Sequence, residues 1–264
     1  MRFRRRGGIV CRMRATRGWL TAAAALAVAT AASTAERTDL PPPAGAGVER
    51  GVAVLQCTAP SGLVTVSRAT LLEVDVDEGA EVLLTAGHGL PSTADEALRN
   101  CRILARGKAH AIEAVWHAGG YAAGPAHDWA VLLSERIKGE PRRWRVAEAA
   151  QSWLGQLVAD NARVRLVLRY ADAAQSDCRL EAWTAQRLLA HTCNAYPGTS
   201  GSPLVVGVEG EPVLIAFHIG SQLEWDGKKL DVVNVARPLD TAVISAIDAA
   251  AAAATVGALR KRRR

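Results

Sequence analysis

Three short segments hold the residue types that covalent acyl transfer requires: a hydroxyl that attacks, an imidazole that takes its proton, and a carboxylate that orients the imidazole and stabilises its charged form. In Val82-Leu-Leu-Thr-Ala-Gly-His88-Gly89 an apolar run ends in a small-residue turn that would present an imidazole at a sheet edge. In His127-Asp128-Trp-Ala-Val-Leu-Leu133 an acid stands directly before an apolar run. In Cys193-Asn-Ala-Tyr-Pro-Gly198-Thr-Ser200-Gly-Ser-Pro203, Gly198 frees the backbone to turn its N–H outward. Ser200 then sits where a tight loop exposes its hydroxyl, and Gly201 removes a side chain beside it. Each segment also has a plain structural reading: a histidine after a strand, an aspartate forming a turn, a Gly/Ser turn before a strand. His110, His117, His127 and His191 show no ligand spacing, and no CxxC pair or close His pair is present, so no metal site is expected.

Such residues do chemistry only if something brings them together. From Gly51 onward, runs rich in Val, Leu and Ile recur between turn formers, at 52–55, 63–72, 82–85, 112–116 and 129–133. The second half repeats the style at 164–168, where apolar residues alternate with Arg163, Arg165 and Arg169, and again at 204–208, 213–217 and 232–235. Many short strands with polar turns predict an all-β barrel or sandwich. The stretch 137–160, rich in Glu, Arg and Gln and containing Pro141, is the expected passage between two halves. Asp240, shortly after Pro238, is placed to cap a helix from Ala242 to about Ala254, in which Asp248 argues against a membrane span.

Taken together and in this order, the three segments resemble the TAxH, DxAxL and GxSGxP signatures of chymotrypsin-like serine peptidases, over about residues 50–250. The GTSGSP form with Ser202, and the lack of the more usual cysteine after His88, are more similar to the bacterial glutamyl-endopeptidase branch and its trypsin-like relatives. The resemblance implies two six-stranded antiparallel β-barrels with a C-terminal helix, and a serine endopeptidase that needs no cofactor. His88 would act as general base and then acid, Asp128 as its orienting carboxylate and Ser200 as nucleophile, with the N–H groups of Gly198 and Ser200 as the oxyanion hole. Thr199 stands where zymogen-type members carry an aspartate, so activation through that ion pair is not expected. Asn194 replaces the acid that gives trypsins their preference for basic residues. Together with His218 and Gly220 it is assigned to the wall of the specificity pocket. A protonatable His218 there would attract an acidic substrate side chain, and a structural histidine near the pocket wall accounts for it as well. Two rivals are distinguishable. An α/β-hydrolase needs Gly two residues after its nucleophile, where this chain has Ser202, and runs Ser, acid, His in chain order. A catalytically silent, protease-like binding module would keep the fold and lose the chemistry.

Composition sets the remaining bounds. A chain of 264 residues with 49% hydrophobic and 22% charged residues is an ordinary globular protein. Its charge of +6 is terminal: seven Arg and no acid lie in residues 1–35 and five basic residues in 260–264, which leaves 20 basic against 26 acidic residues and a body of −6. No nucleic-acid surface is implied for the folded part. The Arg-rich start, the apolar run from Trp19 to Ala32 and the small residues that follow predict an export signal over 1–35, so a secreted or periplasmic protein. A flexible Pro-rich lead is expected over 36–50, barrels over 51–145 and 146–239, the helix over 240–255 and a basic tail over 256–264. A monomer without stable membrane insertion is expected, acting on protein or peptide substrates. Beyond Cys11 in the leader, Cys57, Cys101, Cys178 and Cys193 suggest two disulfides in an exported chain. Three connectivities are possible, and Cys57–Cys101 with Cys178–Cys193 is favoured because each pair lies within one half and closes a modest loop.

Overall fold

Strands buried on both faces form where apolar residues run on without alternation, and β3 (Ala80–Thr85) is such a strand, with all six residues buried. Leu83 turns inward, while Val82 and Leu84 pack outward against other elements. The structure, a computed structural model, describes residues 51–76, 79–139, 143–146, 151–168, 175–225 and 229–262. The expected leader and lead, 1–50, lie outside them.

Five more strands complete a barrel with β3: β1 (Val52–Thr58), β2 (Val64–Glu73), β4 (Cys101–Ala105), β5 (Lys108–His117) and β6 (Ala130–Glu135). They pair antiparallel in the order β1-β4-β5-β6-β3-β2, and β2 returns to β1, which closes six strands on themselves. Leu55, Leu71, Leu83, Ile103 and Leu132 fill the interior. Between β3 and β4 lies a helix that the hydrophobic pattern alone did not predict, α1 (Ala94–Asn100). Its start is a reciprocal cap: the Glu96 N–H donates to Thr93 Oγ1 at 3.3 Å, and that hydroxyl donates to Glu96 Oε2 at 3.0 Å.

Strand β7 (Trp144–Val146) runs parallel to both β2 and β12 (Glu211–Trp225), with Leu72 opposite Trp144 and Val213 opposite Arg145. The expected passage between halves therefore contains a strand, followed by α2 (Gln151–Ala159). The chain entering β7 is anchored by buried Glu81, whose carboxylate takes two hydrogen bonds from Arg143, at 2.7 and 2.6 Å. In the second half, β8 (Arg163–Leu166), β9 (Gln175–Trp183), β10 (Leu189–His191), β11 (Pro203–Val208), β12 (Glu211–Trp225) and β13 (Leu230–Pro238) pair antiparallel. Leu166, Leu180, Leu204 and Ile215 belong to one buried cluster among them.

Helix α3 (Thr241–Arg262) starts where Asp240 Oδ1 accepts the Val243 N–H at 3.2 Å. Val243, Ile247, Ala250 and Ala254 form its buried stripe, packed in one cluster with Val82, Val131 and Leu133. The helix runs through residue 262, past the expected end at 255. After Thr255, Val256 and Gly257 the run Ala258-Leu-Arg-Lys-Arg262 is again of high helix propensity, and cations suit a helix C-terminus. Among the described residues no helix is long and apolar enough to cross a membrane.

Both disulfides are of the favoured connectivity. Cys57–Cys101 joins directly opposite residues of β1 and β4, and Cys178–Cys193 ties β9 to the segment after β10. Such bonds belong to an oxidising compartment and are compatible with an extracellular or periplasmic protein. Replacing Cys57 and Cys101 together by Ala should cost about 2–5 kcal/mol, since that loop spans 44 residues. Urea unfolding under non-reducing conditions reads this directly, and an unchanged midpoint would refute it.

Candidate active site

β3 and β6 are neighbours in the barrel, with Thr85 opposite Ala130, so the turns just beyond Thr85 and just before Ala130 lie side by side. The first is the 3₁₀ turn Gly87–Gly89, carrying His88. The second is the 3₁₀ turn Pro125–His127, followed by Asp128. Their approach requires Gly87: a Cβ there would stand 2.9 Å from the Gly120 Cα and 3.1 Å from the Trp129 nitrogen. Asp128 is fully buried and takes two hydrogen bonds from one residue. The His88 backbone N–H donates to Oδ1 at 2.7 Å, and His88 Nδ1 lies 2.7 Å from Oδ2. An ionised carboxylate only accepts, so Nδ1 carries the proton and Nε2 is left with its lone pair. The His88 side chain is 36% exposed. Its basic nitrogen is therefore available to a bound molecule.

The Ser200 loop reaches the same place from the second half, clamped by backbone groups. The Arg68 N–H on β2 donates to the Ser200 carbonyl at 2.6 Å, the Gly201 N–H donates to the His218 carbonyl on β12 at 2.7 Å, and Thr70 Oγ1 donates to the Gly201 carbonyl at 2.7 Å. The Thr85 hydroxyl, three residues before His88, donates to the Arg68 carbonyl at 2.6 Å. Gly198 and Gly201 adopt φ of +90° and +89°, a region open to glycine. Among the described residues, neither the Gly198 nor the Ser200 N–H finds an acceptor. Two free donors thus flank a half-buried serine. No direct hydrogen bond joins the Ser200 hydroxyl to the His88 ring. What unites the two is their shared attachment to β2.

Thr199 is fully buried and donates its hydroxyl to the Tyr196 carbonyl at 2.7 Å, closing the loop on itself. Asn194 is exposed and follows Cys193, whose carbonyl accepts from Asn234 Nδ2 at 2.8 Å. Asn234 also accepts from Ser221 at 2.6 Å, beside Gly220, so the Asn194 and Gly220 segments are linked. Gly220 has φ of +142°, and a Cβ there would meet nothing within 4 Å. His218 departs from expectation. It is 2% exposed, and its Nδ1 lies 3.2 Å from Nε2 of equally buried His191. Burial lowers His191 to about 4. Burial, then the charges of His191 and His88, lowers His218 to about 3, against an opposing backbone hydrogen bond with Val235. His218 therefore offers no standing positive charge to an acidic substrate side chain at neutral pH.

Arg68, Thr70, Thr85 and His191 escape sequence reasoning. The first acts through its backbone and the next two through hydroxyls common in strands, while His191 sits in a short strand with no marking pattern. Among the described residues no cluster of His, Cys, Asp and Glu could hold a metal ion.

No protein-family model and no curated protein matches this chain. Solved structures do. A thermostable serine protease, AL20, from an extremophilic microorganism superposes with a TM-score of 0.53 at 13% identity, covering 77% of this chain and 97% of its own. The protease Anisep from Arthrobacter nicotinovorans gives 0.53 and 13%, covering 77% and 96%. The likeness is one of fold: this chain has the mostly-β, trypsin-like fold of these serine proteases, with a closed six-stranded barrel and a C-terminal helix.

Gly201→Ala should destabilise the protein by about 2 kcal/mol or more, because the new Cβ would collide with the Arg68 carbonyl. Urea unfolding of the purified variant tests this, with an unchanged midpoint as the contrary result. The unfolded chain protonates its histidines near pH 6.5, whereas folded His191 and His218 wait until about 4 and 3. Between those values the unfolded state binds more protons, so stability is full above about pH 6.5 and falls as pH falls. His191→Asn should make that slope shallower by up to ~1.4 kcal/mol per pH unit. An identical slope in both proteins would show that His191 does not titrate in this way.

Proposed function

We propose that this chain is an exported serine endopeptidase in which His88, Asp128 and Ser200 form the catalytic triad. The observation that carries the proposal is the buried Asp128 held to His88 by two 2.7 Å hydrogen bonds, next to a serine loop with two unused backbone donors. Ser200 Oγ attacks the scissile carbonyl carbon while its proton passes to His88 Nε2. Asp128 stabilises the resulting imidazolium, and the N–H groups of Gly198 and Ser200 receive the oxyanion. The carbon–nitrogen bond then breaks as His88 returns the proton to the leaving amine. Water repeats the sequence on the acyl-enzyme, and Ser200 recovers its proton. The Ser200 to His88 hydrogen bond forms as substrate closes the site, a tightening common in such centres.

The second half is the partner barrel in this reading: β12-β11-β8-β9-β10-β13 pair in succession, and β13 returns to β12. Asn194 and Gly220 line the specificity pocket with His218 neutral behind its wall, so the pocket favours an uncharged side chain over a basic one. Export through the 1–35 leader agrees with the two disulfides. A silent binding module remains the second reading, because Ser200 makes no direct bond to His88.

A fluorophosphonate probe decides between them. It should label the wild type and fail on Ser200→Ala, and His88→Ala should lower peptide hydrolysis by ~10⁴-fold or more with the fold intact by circular dichroism. Absence of labelling in the folded wild type, or full activity in His88→Ala, would rule out the triad.

A further inference from the structure

The turn Pro125–His127 delivers Asp128 to the site, and most of its backbone is satisfied within the turn itself. The N–H groups of His127, Asp128 and Trp129 donate to the carbonyls of Gly124, Pro125 and His127, at 2.9, 3.2 and 2.9 Å. That accounting leaves the carbonyl of Ala126, two residues before the buried carboxylate. It accepts at 2.7 Å from Nε of Arg237, 111 residues further along the chain.

Arg237 lies on β13, opposite Phe217 of β12, and is 5% exposed. The next residue of β12, His218, holds Gly201 of the serine loop through its carbonyl. One strand pair therefore reaches both the Ser200 loop and the Asp128 turn. The guanidinium uses each of its nitrogens: Nε on Ala126, Nη1 on the Pro238 carbonyl at 3.1 Å and Nη2 on the Asp240 carboxylate at 2.6 Å. Asp240 in turn caps α3 with its other oxygen. A planar fork engaged at all three nitrogens has one orientation, so Nε is aimed at a fixed point. β13 has other anchors at this end: Ala216 pairs with Pro238, and the Leu239 N–H donates to the Ile215 carbonyl at 3.1 Å. What Arg237 adds is a link from the second half back to the turn that carries Asp128.

We propose that Arg237 is a positioning residue: its Nε–H holds the Ala126 carbonyl, fixes the turn before Asp128 and so keeps the Asp128–His88 pair aligned with the serine loop. This rests on the peptidase reading of Ser200. Arg237 acts through the backbone, two residues from the carboxylate, and not on the reacting atoms. Misplacing a catalytic group by about 1 Å slows the reaction without weakening the binding of substrate. Loss of the bond should therefore appear in kcat and leave KM unchanged.

Two substitutions separate the bond from the charge. Glutamine places an amide nitrogen where arginine has Nε, so Arg237→Gln keeps the donor to Ala126 and gives up the charge. Lysine keeps the charge, and a partner for Asp240, but puts a methylene at that position. With the quenched-fluorescent peptide that the wild type cleaves best, Arg237→Lys should lower kcat by ~10-fold or more and Arg237→Gln by no more than ~3-fold. KM should stay within ~2-fold in both. The His88 Nδ1–H, deshielded by its 2.7 Å bond to Asp128, gives a far-downfield proton resonance. That signal should persist in Arg237→Gln and shift or broaden in Arg237→Lys. The reverse order would show that the charge matters and the bond does not, and equal losses would make the residue merely structural. Either result overturns the proposal, as does wild-type kcat in Arg237→Lys or a ~10-fold fall in Arg237→Gln. Each variant thus decides alone if the other fails to fold, and loss of fold in both, by circular dichroism, also overturns it. The proton signal needs no turnover. If the folded wild type neither cleaves peptide nor takes up a fluorophosphonate, the peptidase reading fails, and the signal in the two variants still decides the role of Arg237.

Discussion

A single backbone carbonyl, that of Arg68, holds the candidate site together. It accepts the Thr85 hydroxyl at 2.6 Å, which fixes the end of β3 three residues before His88. It also lies against the α-carbon of Gly201, so closely that any Cβ there would overlap it. The neighbouring Arg68 N–H holds the Ser200 carbonyl at 2.6 Å. One peptide segment of β2 thereby sets both the imidazole turn and the serine loop, although the two are more than a hundred residues apart in the chain. Backbone groups suit this task because they have no rotamers to lose, and a left-handed glycine is the residue that permits so close an approach.

Electrostatics at the site follow from burial. A carboxylate removed from water costs several kcal/mol unless its oxygens are satisfied, and Asp128 meets that requirement with the side chain and backbone of one residue. The arrangement locks the orientation of His88 as well as its tautomer. Behind it, His191 and His218 are held neutral by the same exclusion of water, and a charge on His88 lowers His218 further. At neutral pH neither of these two histidines therefore competes as a cation for the Asp128 carboxylate.

Which parts of this were legible in the sequence depends on the range of the forces involved. Apolar runs announced β3, β6 and β11, because a strand buried on both faces must be largely apolar. The Gly198-Thr-Ser200-Gly201 segment was legible because positive φ leaves a compositional mark. Short strands such as β10, with three residues, and the partly polar β9 carry too little local pattern to stand out from loops. Helix α1 did leave a signal, in Thr93 and Glu96 three residues apart, but its few apolar positions hid it. The end of α3 was placed too early because a run of basic residues suggests a solvated tail, whereas Arg and Lys are good helix formers at the terminus cations favour. For His218 the sequence leaves two readings open, and burial with the His191 contact, 27 residues away, decides its charge.

β12 connects the two scales of the molecule. Fifteen residues long, it passes from Ile215, fully buried, to Leu223, largely exposed, and its register against β13 shifts between His218 and Gly220. A bulge at that point re-aims the strand just where the serine loop is attached. Because side chains alternate faces with a period of two, whatever pairs with the outer part of β12 is placed in register with the Gly201 clamp by the strand itself, without any loop intervening. Rigid linkage of this kind turns a remote contact into a constraint on position at Ser200.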